Sequence, residues 1–217
     1  MAHRVIINQH MMAKNLTDQH KRTGGDKAEA RRKLPRKATP KSLENAALYY
    51  LERFASSAAN LRRVLMRRVE RSARAHGTDR DEGAAAIDAI VARFEASGLL
   101  NDRAYAEARA GTLHRRGASA RKIRATLMQK GVGQDDIEAA LGALRDEAAD
   151  PEFAAAVTLA RRRRLGPFRP APDREARREK DLAALARAGF GYDIARQVIE
   201  APDIAALEAR AEEAQGA

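Results

Sequence analysis

Closely spaced helix-boundary residues divide residues 98–141 of this chain into short segments. Gly98 and Gly131 each follow a run of helix-forming residues, and glycine at such a position takes the left-handed conformation that ends a helix. Residues typical of a helix N-cap stand where the next helices begin: Asn101 or Asp102, and the acidic capping pair Asp135 and Glu138. The stretch is therefore predicted to consist of short helices joined by minimal turns.

The apolar residues favour helices that pack closely on one another. Hydrophobic residues make up 44% of the 217 residues, which is enough for a packed core, but only 4% are aromatic and there is no Trp. Alanine and leucine dominate the apolar set, so few bulky side chains can anchor a core. The predicted fold class is all-α.

Residues 1–41 differ in composition from the rest of the chain. They hold 11 Lys and Arg against 3 Asp and Glu and no aromatic residue, whereas residues 42–217 hold 30 against 27. A segment so charged and so poor in apolar residues buries too little surface to fold by itself. We predict a disordered basic arm that carries most of the formal net charge of +11.

Apolar periodicity and cap residues divide the rest of the chain into ten helical segments. Nine of them form three triads. The first comprises helices near residues 42–54, 57–75 and 79–97, and the second comprises helices near 102–116, 119–130 and 135–149. The third begins with a helix at Asp150 and Pro151 and continues with helices near 173–188 and 192–201. A last helix near 203–214 lies outside this pattern. The predicted domains are three three-helix repeats followed by a separate C-terminal helix and tail: 42–98, 99–149, 150–201 and 202–217.

An internal repeat supports the triads. Leu61 and Leu65 of the first triad recur 62 residues later as Ile123 and Leu127 of the second. This period fits three helices with their turns, although chance similarity between leucine-rich helices is the alternative.

Residues 166–173 interrupt the third triad. They contain three prolines, which lack the backbone N–H that a helix interior needs. We predict that this segment is not helical and forms a flexible joint.

Signatures of catalysis and of bound cofactors are missing. The sequence has no phosphate-binding loop, no glycine-rich dinucleotide motif and no HExxH motif. It has no Cys, which excludes thiolate metal sites and thiol catalysis, and its five His do not form a ligand set. We therefore expect a protein that is not an enzyme and that holds neither a cofactor nor a metal.

The sequence also lacks signals for membrane insertion or secretion. No apolar run approaches the roughly 20 residues of a membrane helix, and the N-terminus has no uninterrupted apolar core. We expect a cytoplasmic protein without a membrane partner.

The predicted helix at 57–75 carries what we term the arginine stripe, Arg63, Arg67, Arg71 and Arg74. On a helical wheel these residues lie opposite an apolar arc formed by Leu61, Val64, Leu65 and Val69. Guanidinium groups spaced one turn apart suit an extended anionic surface, because each can bind a phosphate or a carboxylate through two N–H groups. An ordinary solvated face is the alternative, since Glu70 lies within the stripe.

Two further basic clusters are predicted to bind a partner or DNA. The second cluster surrounds a short turn and comprises Arg115, Arg116, Arg121, Lys122 and Arg124. In the third, Arg162 and Arg163 are the exposed members of the run 161–164, because Phe153, Val157 and Ala160 define the buried side. Cations in a last helical turn are favourable in any case, so stabilisation of the helix end is the alternative for this run.

The apolar residues of the stretch 98–141 are predicted to form the core of the second repeat. They are Leu99, Leu100, Tyr105, Ile123, Leu127, Val132, Ile137 and Leu141.

The same stretch resembles the RecX family of recombination regulators. The residues concerned are GLLNDRAYA at 98–106, RKIRATLMQKGV at 121–132 and IEAAL at 137–141. The family pattern is Gly-Leu-Leu/Ile-Asp/Asn-Asp-x-x-Phe/Tyr-Ala, then a helix ending in Lys-Gly-Ile/Val, then Ile-x-x-Ala-Leu, and the match holds in order and spacing. The resemblance covers roughly residues 42–200 and is weaker in the third triad.

The resemblance implies tandem three-helix repeats that form an elongated, curved stack. It also implies a regulator that binds the RecA recombinase filament on single-stranded DNA and inhibits its ATPase, strand-exchange and coprotease activities. On this hypothesis the partners are the RecA filament and, weakly and electrostatically, single-stranded DNA, and the protein is a monomer.

Two other classes of protein remain open at this point. Helix triads with basic middle helices also occur in non-specific or helix-turn-helix DNA-binding proteins. Against that class, the middle helices begin with few Asn or Gln residues to read base edges, and few aromatic residues are available for base stacking. A structural scaffold fits the small net charge of residues 42–217 but gives the arginine stripe no role.

Overall fold

A computed structural model of the protein describes residues 34–215, and this part of the chain is all-helical. The helices are α1 Pro40–Leu51, α2 Ala58–His76, α3 Arg80–Ala96, α4 Asp102–His114, α5 Ala120–Lys130, α6 Gln134–Glu147, α7 Pro151–Arg163, α8 Ala171–Arg187, α9 Tyr192–Ile199 and α10 Ile204–Gln215. A short 3₁₀ helix, Gly166–Phe168, lies between α7 and α8. The all-α prediction is confirmed, and the disorder predicted for the basic arm falls mostly on residues outside the described range. Within that range, every helix is too short or too polar to cross a bilayer.

Most helix starts are where the cap residues predict them. Asp79 caps α3, Asn101 caps α4 and Asp150 caps α7 with Pro151 as the first helical residue. The capping pair predicted at Asp135 is wrong, because α6 already begins at Gln134 behind an extended Gly133. The Glu138 of that pair binds a neighbouring helix instead.

The folded part begins earlier than Ser42. Thr39 caps α1 by accepting a hydrogen bond from the Ser42 N–H, and Pro40 occupies the first turn, where its missing N–H costs nothing. The Ala38 N–H also donates to Ser72 Oγ of α2 at 2.9 Å. The last residues of the predicted arm are therefore part of the first repeat.

Each repeat buries its own apolar cluster, and the most extensive helix packing lies within repeats. The clusters are centred on Leu61, Leu65 and Ile87 in α1–α3, on Ile123, Leu127 and Ile137 in α4–α6, and on Phe153, Leu185 and Val198 in α7–α9. This grouping confirms the tandem three-helix organisation.

The C-terminal helix α10 packs against the third repeat, whereas the sequence predicted a separate helix outside the three repeats. It packs on α7, and its apolar residues Leu207, Ala211 and Ala214 join the third cluster. Their spacing of four and three residues places them on one face of the helix, which is the pattern that buries a helix against a neighbour.

Two of the residues predicted for the second core lie elsewhere. Leu100 is buried in the first cluster, while Leu99 is 51% exposed. Gly98, with a φ of +74°, reverses the chain after α3, and the Leu100 N–H returns to the Phe94 carbonyl. That turn directs Leu100 into the first repeat and leaves Leu99 outside.

The joints between successive repeats are built alike. Ser57, which caps α2, donates from Oγ to the Lys130 carbonyl at 2.6 Å, and Ser119, which caps α5, donates to the Ala188 carbonyl at 2.7 Å. Both serines are fully buried, and each also accepts an N–H from its own helix. The two serines are 62 residues apart, so the internal repeat extends to the contacts between repeats.

A half-buried carboxylate accompanies each joint. Asp102 accepts the Ala58 N–H at 2.8 Å, and Glu152 accepts the Ala120 N–H at 2.9 Å. Burial raises the pKa of both carboxyl groups, and the hydrogen bond from the backbone offsets part of that effect.

The prediction that residues 166–173 are not helical is wrong, and the flexibility predicted for this joint stays a prediction. Gly166 to Phe168 form the 3₁₀ helix, and α8 begins at Ala171 because proline is tolerated in a first turn. The buried carboxylate of Asp181 accepts the Gly166 N–H at 2.9 Å and binds the Arg169 guanidinium at 2.7 Å. These bonds hold the segment against α8.

Candidate functional site

All four residues of the arginine stripe are exposed on α2. The opposite face of the helix is buried through Leu61, Leu65 and Val69, as the helical wheel predicts, whereas Val64 is only half-buried. Arg67, Arg71 and Arg74 form no ion pair within residues 34–214, and the Arg71 Nε donates to the Arg67 carbonyl.

Two charges that neighbour the stripe on α2 are paired, whereas Arg68, like Arg67, Arg71 and Arg74, forms no ion pair within residues 34–214. Arg62 donates to the carboxylate of Asp88 at 2.6 Å, and Glu70 binds Arg80 at 3.1 Å. Because Arg80 neutralises Glu70, the acid that lies within the stripe does not offset the stripe's own charges.

Arg63 has a structural contact that the other stripe residues lack. Its guanidinium donates to the Gln129 carbonyl near the end of α5 at 2.8 Å, so it links the first two repeats. Cations are favourable at the C-terminal end of a helix, where the last carbonyls are unpaired.

The second cluster divides into exposed and paired members. Arg115, Arg116, Arg121 and Lys122 are exposed. Arg124 is half-buried and donates to both carboxylate oxygens of Glu138, at 2.7 and 2.8 Å. Such a bidentate pair holds α5 against α6 and leaves Arg124 with little charge to offer a partner.

All four arginines of the run 161–164 are exposed, so exposure does not single out Arg162 and Arg163 as predicted, although the apolar side of α7 is buried. Arg162 donates to the Arg116 carbonyl at 2.7 Å, which brings the second and third clusters together across the joint. Arg161 instead binds Glu208 of α10 at 2.7 Å.

A groove between the end of α1 and the start of α4 is a surface that the sequence analysis does not identify; we term it the α1–α4 groove. Its larger, apolar half has a volume of about 850 Å³ and is lined by Leu48, Tyr49, Phe54 and Leu99. All four of these side chains are between 43% and 55% exposed.

The smaller half of the groove is basic and has a volume of about 440 Å³. It is lined by Arg53, Arg109 and Lys130 and by no carboxylate. Phe54 and Tyr105 line both halves, and burial raises the pKa of the Tyr105 hydroxyl. The groove therefore joins an apolar surface to a cationic one.

The sequence contains only a weak signal for this groove. Leu48, Tyr49 and Leu99 each stand next to a core residue or a helix end, so apolar periodicity alone assigns them to a core. Their exposure depends on where α1 ends and on how α4 follows Gly98. Within residues 34–214, no three His, Asp or Glu side chains are grouped closely enough to hold a metal ion.

Comparison with known proteins gives consistent matches. Residues 101–141 match a family model described as RecX, second three-helix domain. The regulatory protein RecX of Myxococcus xanthus (strain DK1622) is 46% identical over 181 residues, which span 82% of this chain and 96% of that protein. The regulatory protein RecX of Agrobacterium fabrum (strain C58 / ATCC 33970) is 34% identical over 169 residues, 74% of this chain and 85% of that protein.

A solved structure shows the same fold. A crystal structure of regulatory protein RecX aligns with a TM-score of 0.54 at 22% identity, over 75% of this chain and 72% of that one.

Proposed function

The chain belongs to the RecX family of regulatory proteins, and from that premise we propose that it binds the RecA filament on single-stranded DNA and inhibits the filament's ATPase, strand-exchange and coprotease activities. It acts as a cytoplasmic monomer, by binding rather than by catalysis, and without a cofactor or metal. Its own contact with single-stranded DNA is weak and electrostatic.

The observation that supports this proposal is that three stripe residues, Arg67, Arg71 and Arg74, form no ion pair within residues 34–214. They follow one face of α2 in steps of three or four residues, while the adjacent Arg62 and Arg80 are neutralised by carboxylates. A row of free guanidinium groups suits a partner with a periodic anionic surface, which a nucleoprotein filament offers. The exposed cations around the Arg116 to Arg162 contact extend the same chemistry to the second joint.

The test is a charge reversal of the stripe, Arg67→Glu with Arg71→Glu. Arg63 is left unchanged because it holds the first joint. We expect the variant to keep the wild-type helical signal and to need at least about tenfold more protein for half-inhibition of RecA ATP hydrolysis on single-stranded DNA. The reason is that each charge-assisted contact contributes about 1.5–3 kcal/mol, and 1.4 kcal/mol corresponds to a factor of ten.

The matched control is Arg68→Glu with Arg187→Glu, which changes the net charge equally at exposed arginines outside the stripe that form no ion pair within the described residues. It is expected to inhibit like the wild type. Equal inhibition by the stripe variant would remove the stripe from the mechanism. A wild-type protein that leaves RecA unaffected but binds protein-free DNA tightly would favour the alternative of a DNA-binding protein.

A further inference from the structure

We propose that the α1–α4 groove binds a segment of the RecA protein itself, with an apolar side chain in the larger half of the groove and a neighbouring carboxylate in the basic half. This inference rests on the proposed function, because it names which component of the filament the groove meets. In this arrangement the groove contacts the RecA protein, and the arginine stripe contacts the anionic surface of the filament.

The apolar half concentrates exposed hydrophobic area in one place. Among the described residues, eight large hydrophobic side chains are exposed, and four of them line this groove: Leu48, Tyr49, Phe54 and Leu99. Single exposed apolar residues are common on proteins, but a contiguous patch is typical of an interaction site. A cavity of about 850 Å³ has room for one or two large apolar side chains.

The basic half supplies the charge complementarity that identifies the occupant. Arg53, Arg109 and Lys130 form no ion pair within residues 34–214, whereas Arg62, Arg93 and Arg103 are each held by a carboxylate. The Nε of Arg109 is buried and has no hydrogen-bond partner, which holds for no other described side-chain nitrogen or oxygen. A carboxylate that enters this half meets three cationic side chains and no acidic side chain of the lining.

The lining of the groove favours a protein segment over a nucleic acid. Single-stranded nucleic acid binds by stacking bases on open aromatic faces, but the guanidinium of Arg53 already covers the Tyr49 ring at 4.2 Å. Leu51 and Leu99 add aliphatic surface to the lining of the apolar half, and such side chains offer no face on which a base can stack. A protein segment with an apolar side chain next to an acidic one can fill the apolar half and pair with the cations of the basic half at the same time.

The experiment compares two double variants. Phe54→Ser with Leu99→Ser removes apolar surface from the groove, and Met128→Ser with Tyr192→Ser removes similarly exposed apolar side chains elsewhere. All four residues are more than half exposed, so neither variant hollows a core. The probes are a fluorescein-labelled oligo(dT) coated with RecA and the same oligo(dT) without RecA, each titrated with full-length protein.

We expect the groove variant to bind the RecA-coated oligonucleotide at least tenfold more weakly than the wild type and to bind the bare oligonucleotide equally well. The control variant is expected to match the wild type with both probes. A groove variant that matches the wild type on the filament would overturn the inference while the proposed function stands. A wild type that does not bind the filament would overturn the proposed function, and the inference with it.

Two further outcomes separate the parts of the inference. A groove variant that loses affinity for the bare oligonucleotide would show that the groove holds nucleic acid, which contradicts the assignment to protein. The reversal Arg53→Glu with Lys130→Glu is expected to weaken filament binding at least tenfold, and unchanged binding would overturn the assignment of a carboxylate to the basic half.

Discussion

At the scale of single residues, Asp181 holds the proline-rich segment of the third repeat. Its carboxylate is 2% exposed and accepts one backbone N–H and two guanidinium N–H groups from Gly166 and Arg169. Burial acts to raise the pKa of Asp181, but these hydrogen bonds outweigh it and hold the pKa below the ordinary value. The ionised carboxylate therefore stabilises the fold above the unfolded pKa of about 4, and the contribution is lost as pH falls through the lower folded pKa.

We predict that Asp181→Asn lowers the free energy of unfolding at pH 7 by about 1.5–3 kcal/mol, the contribution of hydrogen bonds to a charged group. The difference from the wild type should shrink when urea unfolding is measured below the unfolded pKa of about 4, and it should be lost as the pH falls through the lower folded pKa. The exposed Asp146→Asn serves as the control and should change stability by less than about 0.5 kcal/mol. A loss at pH 7 that does not shrink at all as the pH falls below about 4 would show that the charge of Asp181 is not what holds the segment.

At the scale of helices, two glycines inside α3 and α6 have opposite roles. A Cβ at Gly83 would lie 2.6 Å from Val69 Cγ1, so this glycine lets α3 approach α2 closely. A Cβ at Gly142 would meet no atom within 4 Å. Gly142 therefore contributes only the conformational entropy that glycine loses in a helix.

The two alanine substitutions are predicted to change stability in opposite directions. Gly142→Ala should raise the free energy of unfolding by about 0.5–1 kcal/mol, which is the difference in helix propensity. Gly83→Ala should lower it by about 1–3 kcal/mol, because overpacking outweighs the gain in propensity. Thermal unfolding of both variants provides the measurement, and stabilisation by both would show that α2 and α3 can separate at little cost.

At the scale of the whole molecule, charge is concentrated at one end of the sequence. Residues 1–35 hold eight Lys and Arg against three Asp and Glu, a net charge of +5 on a short segment, while the much longer remainder, residues 36–217, holds 33 against 27. Removing them leaves the Ala38 bond to Ser72 and the Thr39 cap of α1 in place.

Deleting residues 1–35 is predicted to weaken binding to protein-free single-stranded DNA and to make it less dependent on salt. Each phosphate contact that is lost reduces the slope of log K against log salt by about 0.7 for a single strand. Titrations of oligo(dT) at several salt concentrations measure this slope, and far-ultraviolet circular dichroism checks that the helical signal is kept. An unchanged slope would mean that residues 1–35 do not contact DNA.

Much of the helical architecture follows from local sequence. Asp79, Asn101 and Asp150 cap helices where they were predicted to do so, and Gly131 ends α5 with a φ of +78°. These features are predictable because a cap or a left-handed glycine involves residues only a few positions apart. Apolar periodicity is equally local, and it correctly places the buried face of α2 and the three-helix grouping.

Contacts between segments that are far apart in the sequence decide which candidate residues remain available to bind a partner. Arg124 is neutralised by Glu138 and Arg63 is held at a joint, while Arg67 forms no ion pair within the described residues, and all three look alike in the sequence. The α1–α4 groove likewise brings Phe54 and Leu99 together across 45 residues. Helices must meet before an ion pair can form, before α10 can dock on α7 and before apolar side chains can make an exposed patch. Packing between helices, and not the residue types alone, therefore determines which charges and apolar groups remain available to a partner.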